Sequence, residues 1–340
     1  MNPYLQDIRS LFETGLDLST LNDSRILVTG ATGLIGSCLV DVLLTNPHRN
    51  YQVYALGRNE ERARQRFNNY WETADFHFIR HDISLPLDSD ICFDYIIHAA
   101  SNASPNFFKE KPVEVIKSNI IGVENLMEHG IRHGMKRMLF VSSGEIYGEG
   151  DGREFTEADS GYVNCATPRA CYPSSKRAAE TLCVAYAAEY GADVVIARPC
   201  HTYGPYFTES DNRVYAQFIR NLLDGKDIVL KSRGEQYRSW LYVVDAAHAL
   251  LTILTKGAKG EAYNVADEQS NITIRALAEL LAGAEDRQVV FDIDDANGNT
   301  TPITRATFST EKLAQLGWRP LTTIAEGLQH TLAAQRLLLR

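Results

Sequence analysis

Tyr172 and Lys176 stand four residues apart where a strong helical pattern begins, a spacing that sets a phenol and an ammonium on one helix face. A free phenol has a pKa of about 10, too high for a base at neutral pH. A nearby cation favours the phenolate and brings that value toward the operating pH, so the pair can take a proton from a hydroxyl group. Tyr-x-x-x-Lys alone is common by chance; here its position carries the weight. It follows a fifth apparent strand that ends Phe140-Val-Ser142-Ser143-Gly144-Glu145-Ile-Tyr147-Gly148. A hydroxyl at that tip, from Ser142 or Ser143, can share an oxygen with Tyr172, and Glu145 adds an acid or base beside it.

Upstream, Arg25-Ile-Leu-Val-Thr-Gly30-Ala-Thr-Gly33-Leu-Ile-Gly36 puts a glycine-rich turn between a strand and a helix. Gly30 permits the tight turn, Gly33 lets backbone approach a pyrophosphate, and Gly36 allows close packing of helix on strand. Helix N-terminal amides then face the anion. The next strand ends Val53-Tyr-Ala-Leu-Gly57-Arg58-Asn59, without the carboxylate that usually holds the ribose 2′-hydroxyl of NAD. Arg58 suits the 2′-phosphate of NADP, or else is solvated or stacked on adenine; NAD and NADP both stay open.

These groups need a scaffold, and the chain supplies an alternation of short apolar runs and helical patterns. Strands are predicted at Arg25–Thr29, Gln52–Leu56, Phe76–Arg80, Tyr95–Ala99, Arg137–Ser142 and Asp193–Arg198, with helices at Cys38–Thr45, Pro112–His133 and Ser174–Tyr190. Such alternation argues an α/β fold: a Rossmann-type, doubly wound parallel sheet with helices on both faces. Residues 1–24 read as a helical extension, 25–200 as the dinucleotide-binding domain, and 201–340 as mainly a smaller substrate domain over the strand ends, part of which returns to the first. Its first helix is expected near Val214–Asp224.

Composition bounds the partners. The formal net charge of −9 argues against a nucleic-acid or anionic-membrane surface. The six cysteines form no CxxC pair and no metal-ligand spacing with histidine, so reduced packed thiols and no metal are expected. Met1–Ser10 lacks a signal-peptide profile, and the apolar stretch Ile26–Leu44 is interrupted by three glycines and Asp41. A cytoplasmic enzyme is the expectation.

Together these residues resemble the extended short-chain dehydrogenase/reductases, the NAD-dependent epimerase/dehydratase family that acts on nucleotide sugars. The resemblance runs from Arg25 to about Leu332 and rests on Thr29–Gly36, His81-Asp82-Ile83, His98-Ala-Ala-Ser101, Asn119, Ser142–Gly148, Tyr172-x-x-x-Lys176 and Arg198-Pro199. It implies a catalytic set of Ser143, Glu145, Tyr172 and Lys176. It implies cofactor contacts from Gly30, Thr32, Gly33, Leu34, Ile35, Gly36, Arg58, Asp82, Ile83, Ala99, Ala100, Ser101, Asn119 and Pro199, with Tyr172 and Lys176. Within the family the chain looks most like the UDP-glucuronate decarboxylases, on His98–Pro105, Pro168-Arg-Ala-Cys-Tyr172, Lys176–Cys183, Thr202–Pro205, Asn212-Arg-Val214 and Arg238–Val243. That resemblance places Ser104, Ser143, His201, Arg213, Arg238 and Arg305 at the nucleotide-diphosphate sugar, the arginines on its diphosphate or an acidic sugar. Three departures stand against the decarboxylase pattern: Gly144 within the expected Thr-Ser-Glu triplet, His201 in place of an Asn, and the missing acidic strand tip.

The implied chemistry is oxidation at the sugar C4, with Tyr172 taking the O4 proton. A C6 carboxylate would then sit β to a ketone and leave as carbon dioxide, Glu145 and Arg305 positioning ring and carboxylate. A neutral sugar would instead be epimerised, at C4 by rotation of the ketone or at C5 through Glu145. A 4-keto-sugar reductase consuming NADPH is a further reading, favoured by Arg58. A non-catalytic dinucleotide sensor is disfavoured by the intact Ser143, Tyr172 and Lys176. The family also implies a homodimer built from helices at about Glu114–His129 and Ser174–Tyr190.

Overall fold

The computed structural model describes residues 2–208, 211–293 and 304–339. Strands, in chain order, are β1 (Arg25–Thr29), β2 (Gln52–Gly57), β3 (Phe76–Arg80), β4 (Tyr95–His98), β5 (Arg137–Val141), β6 (Val194–Pro199), β7 (His201–Tyr203), β8 (Ile228–Leu230), β9 (Tyr237–Tyr242), β10 (Ala262–Val265), β11 (Asn271–Thr273), β12 (Val289–Phe291) and β13 (Arg305–Ala306). Helices are α1 (Pro3–Glu13), α2 (Leu34–Thr45), α3 (Glu60–Arg66), α4 (Pro105–Glu110), α5 (Pro112–Arg132), α6 (Cys171–Glu189), α7 (Val214–Leu223), α8 (Val243–Lys256), α9 (Ile274–Gly283), α10 (Glu311–Gln315) and α11 (Ile324–Leu338).

Seven strands form one parallel sheet in the order β10-β6-β5-β4-β1-β2-β3. Its strands read as continuous apolar runs because both faces are covered. Ile26 and Val28 of β1 enter one core with α2 and α8, whereas Leu27 enters another with Val123 and Leu126 of α5 and Ala179 and Cys183 of α6. The predicted Rossmann-type sheet and its first six strands are therefore present, with ends moved by at most one residue. The connection order reverses between β1 and β4, which opens the crevice where such sheets bind ligands.

Two predicted helices begin earlier than expected. The first starts at Leu34 rather than Cys38, because Gly36 lies in its first turn and lets the helix press on the preceding loop. The second starts at Cys171 rather than Ser174, since Pro173 falls in the first turn where its missing N–H goes unused. Tyr172 and Lys176 thus occupy the first two turns of α6.

β6 runs on through Cys200 into β7, which leaves the main sheet and pairs with β9. β9 also pairs antiparallel with β11 and parallel with β13, forming a small second sheet beside the main strand ends. Among the described residues no helix is long and apolar enough to cross a membrane.

One buried ion pair ties these layers together. Arg198 on β6 donates to Glu180 on α6 (Nη2 to Oε2, 2.7 Å), to the Tyr147 hydroxyl (2.9 Å) and to the Glu157 carbonyl (2.9 Å). Removing one partner of a buried pair strands the other charge, at a cost of about 3–5 kcal/mol. Glu180→Gln should therefore lower unfolding stability by about 3 kcal/mol, read from the urea midpoint. A loss below about 1 kcal/mol would show that solvent screens the pair.

Candidate functional site

The glycine turn is shaped by contacts that admit no side chain. Gly30 has φ +65°, and a Cβ there would lie 2.7 Å from the Ala100 Cα; one on Gly36 would lie 2.3 Å from the Gly30 carbonyl oxygen. Gly33 is the N-cap of α2 with no side chain capping the helix, and its N–H bonds the Gly30 carbonyl at 2.9 Å. Helix geometry leaves the Leu34, Ile35 and Gly36 amides without intrahelical acceptors, a cradle suited to a pyrophosphate. Thr32 stands at the turn and its carbonyl accepts from Arg62 at 3.1 Å.

The 98–101 turn is locked to β1. Thr29 Oγ1 accepts from the Ala100 amide at 3.2 Å and shares a hydrogen bond with His98 Nδ1 at 2.7 Å. Burial pushes the His98 imidazole down to about 3, which keeps it neutral. Ala99, Ala100 and Ser101 then line the crevice opposite Gly30. Ser101 Oγ donates to Asn119 Oδ1 (2.8 Å), Asn119 Nδ2 to Ser175 Oγ (2.9 Å), and Ser175 Oγ to the Cys171 carbonyl (2.5 Å). One hydrogen-bonded chain thereby connects the dinucleotide turn to the first turn of α6.

At the other end of the crevice Arg58 meets Glu114 of α5 at 3.0 Å and Asp82 at 3.9 Å. Asp82 caps its own turn by accepting from the Ser84 amide at 2.9 Å, and buried Ile83 accepts from Asn125 through its carbonyl at 2.9 Å. A carboxylate from α5, Glu114, therefore stands beside Arg58 near the tip of β2, at a position sequence reading did not single out as a cofactor contact.

Tyr172 is buried beneath Phe108, whose ring stacks on it at 4.9 Å and 23°. Burial raises the phenol to about 12, helped by the charge of Glu145, while Ser143, Arg213 and Arg169 act in the opposite direction. The net shift is upward, against the lowering that the Lys176 spacing implies. The Lys176 ammonium donates to the Val141 carbonyl at 2.8 Å and lies 4.7 Å from the Phe140 ring centre, but 5.9 Å from that of Tyr172. Burial also brings Lys176 down to about 7, with Glu180 opposing. Desolvation outweighs the pairing that spacing alone implies.

Ser143 accepts from the Glu145 amide at 3.1 Å, and the Glu145 carboxylate is paired with Arg169 at 2.7 Å. The Arg169 guanidinium lies over Phe108, 4.8 Å from the ring centre. Its place three residues before Tyr172 was the only available signal, and nothing in sequence links it to Glu145. Between them, Gly144 has no room for a side chain, since a Cβ would meet the Phe308 ring at 2.5 Å.

Ser104 donates to Asn212 Oδ1 at 2.9 Å and so joins the α4 start to the loop that carries Arg213. Arg213 grips Asp211 through Nε (3.0 and 3.1 Å) and donates to the Tyr215 hydroxyl at 3.1 Å. His201, at the start of β7, is pushed down to about 3 by burial and then by Arg238 and Arg213, so it is neutral between two cations. Arg238 is buried on β9, its pKa lowered by burial and supported by Glu145. Pro199 is buried at the end of β6. Arg305 does not join this group. It pairs in register with Tyr237, over whose ring it lies at 5.1 Å, and strand alternation puts it on the face opposite Arg238. The structure thus places Arg305 against Tyr237 and does not bring it together with Arg238. Among the described residues no cluster of three or more His, Cys, Asp or Glu is arranged to hold a metal ion.

The sequence matches the NAD dependent epimerase/dehydratase family over residues 26–266. It is 32% identical to UDP-glucuronic acid decarboxylase 1 of Xenopus tropicalis, covering 93% of this chain and 73% of that one. It is 34% identical to UDP-glucuronic acid decarboxylase 6 of Arabidopsis thaliana, covering 90% and 87%. The fold is similar to dTDP-glucose 4,6-dehydratase of Streptomyces venezuelae with NAD bound, at TM-score 0.80 and 27% identity over 92% of this chain and 97% of that one. It is likewise similar to UDP-glucose 4-epimerase of Thermotoga maritima with UDP-glucose, at TM-score 0.79 and 27% identity over 93% and 100%. On the match to most of its length and on these relatives, the chain belongs to the NAD dependent epimerase/dehydratase family.

Proposed function

We propose that this protein decarboxylates UDP-glucuronate through transient oxidation at C4. The observation that carries the reading is Arg238, a buried guanidinium that feels the charge of Glu145, which in turn acts on Tyr172. A guanidinium in the electrostatic range of the candidate base's neighbour suits a sugar with a carboxylate better than a neutral one. Gly144 counts against a dehydratase, because Phe308 fills the space in which a dehydratase-type acid would stand, although it departs from the decarboxylase triplet as well.

When bound, the nicotinamide supplies the hydride acceptor for the sugar C4. Gly30, Gly33 and the Leu34–Gly36 amides would hold the pyrophosphate, with Ala99, Ala100, Ser101 and Pro199 lining the crevice and Asp82 and Ile83 at the adenosine end. Tyr172 removes the O4 proton, its phenol drawn down by Ser143, Arg213 and Arg169 against the rise that burial imposes, and Ser143 shares that oxygen. Lys176, held by the Val141 carbonyl, fixes the floor beneath Tyr172 and carries a proton readily exchanged near neutral pH. Arg238 would hold the carboxylate that leaves as carbon dioxide; the enolate left behind takes a proton at C5 from solvent, C4 regains its hydride, and Tyr172 returns its proton to O4 at the end. Arg213, His201 and Ser104 face the diphosphate and nucleotide.

The reading favours NAD over NADP. Arg58 is shared between Glu114 and Asp82, and a carboxylate there accepts ribose hydroxyls and repels a 2′-phosphate. The chain is also read as a homodimer through α5 and α6, which leave Ile116, Val184 and Tyr190 exposed.

Four outcomes test these statements. Incubation of the protein with UDP-glucuronate and NAD should release carbon dioxide and give UDP-xylose by NMR; an intact or epimerised hexuronate would overturn the reading. Tyr172→Phe should lower kcat by about 10³-fold while NAD still binds, as loss of a general base does. Glu114→Gln should improve NADP binding relative to NAD by about fivefold in calorimetry, the size of one exposed charge pair. Val184→Asp should yield a monomer by light scattering, and an unchanged mass would place the dimer face elsewhere.

A further inference from the structure

Glu145 presents a difficulty for any acidic sugar. Its carboxylate follows the tip of β5, is tied to Tyr172 through Arg169 and Phe108, and acts electrostatically on both Tyr172 and Arg238. A substrate carboxylate held by Arg238 would be repelled by a charge so placed, and Glu145 would compete with it for that cation.

Arg169 bears on both points. Its Nη2 is 2.7 Å from Glu145 Oε2, and its guanidinium lies over Phe108, 4.8 Å from the ring centre. Phe108 in turn stacks on Tyr172 at 4.9 Å, so the cation is anchored by the same ring that covers the phenol. The short helical turn Pro168–Ala170, running directly into α6, fixes Arg169 relative to Tyr172. Arg169 is half exposed and Glu145 a third exposed, which keeps the pair at the mouth of the site and within reach of an entering ligand.

We propose that Arg169 is a positioning residue that neutralises Glu145 and holds it aside, so that the site admits a sugar carboxylate and Arg238 receives it. Arg169 contributes nothing to a sugar without that charge, and this separates the role from simple support of the fold. The inference rests on the acidic-sugar reading above.

The test measures binding of UDP-glucuronate and UDP-glucose by calorimetry in the presence of NAD, in a Tyr172→Phe background that prevents turnover. Arg169→Gln should weaken UDP-glucuronate about fivefold, the effect of one partly screened charge pair, and change UDP-glucose by less than about twofold. Arg169→Lys should restore most of the difference. Adding Glu145→Gln to Arg169→Gln should also restore it, because the uncompensated charge is then gone. Equal weakening of both ligands would overturn the proposal in favour of a structural role, and no change in either would overturn it outright. If the otherwise unmodified protein releases no carbon dioxide from UDP-glucuronate, the functional reading fails first; release with an insensitive Arg169→Gln variant sinks this inference alone.

Discussion

Backbone meets backbone between Gly30 and Ala100 with no space for a methyl group, and the rest of the site is built outward from that contact. It sits where β1 and β4 part, and it sets how closely the glycine turn can approach the 98–101 turn. Any side chain at position 30 would have to adopt a disfavoured positive φ and also push the two strands' ends apart, at a cost of about 1–3 kcal/mol from overpacking alone. From Ala100 the constraint passes to Ser101, through Asn119 to Ser175, and so to the turn of α6 that carries Tyr172. The candidate cofactor cradle and the candidate base are thus parts of one hydrogen-bonded unit, although Gly30 and Tyr172 are 142 positions apart in the chain.

Burial, more than charge pairing, sets the protonation of this unit. The imidazoles of His98 and His201, the phenol of Tyr172 and the ammonium of Lys176 all move toward their neutral forms for the same reason. What remains charged around it is guanidinium, which cannot be neutralised at accessible pH, set against carboxylates: Arg213 with Asp211 and Arg169 with Glu145. A protein with a net charge of −9 thus still gathers several arginines around this site. Overall charge speaks to solubility and long-range encounter; the local arginines decide which anion is held.

Much of this was legible beforehand, and the gaps have physical reasons. Strands buried on both faces appear as unbroken apolar runs, so six were visible. β10 was not singled out because Asn264 interrupts its pattern; that side chain is buried but satisfied by the Tyr147 hydroxyl and the Phe155 and Ser309 carbonyls. Helical periodicity put Tyr172 and Lys176 on one face, but it carries no information on which acceptor the ammonium meets. Arg305 matched a motif position, while the pairing of β13 that turns it away depends on register. The Arg169–Glu145 and Arg58–Glu114 pairs join residues 24 and 56 positions apart, and only tertiary packing reveals them.

The packing of Phe308 onto Gly144 has an evolutionary corollary. Phe308 belongs to a cluster with Ile146, Tyr147, Phe155 and Ala266, so the ring cannot simply swing aside. An ancestor or descendant that gained an acidic side chain at position 144 would first have to shrink residue 308, and a smaller residue 308 on its own would leave a void in that cluster. Each single step is unfavourable while the two together are not, so the pair is expected to change in concert among related chains. The boundary between activities in this lineage would then be a fitness valley two mutations wide rather than a single catalytic residue.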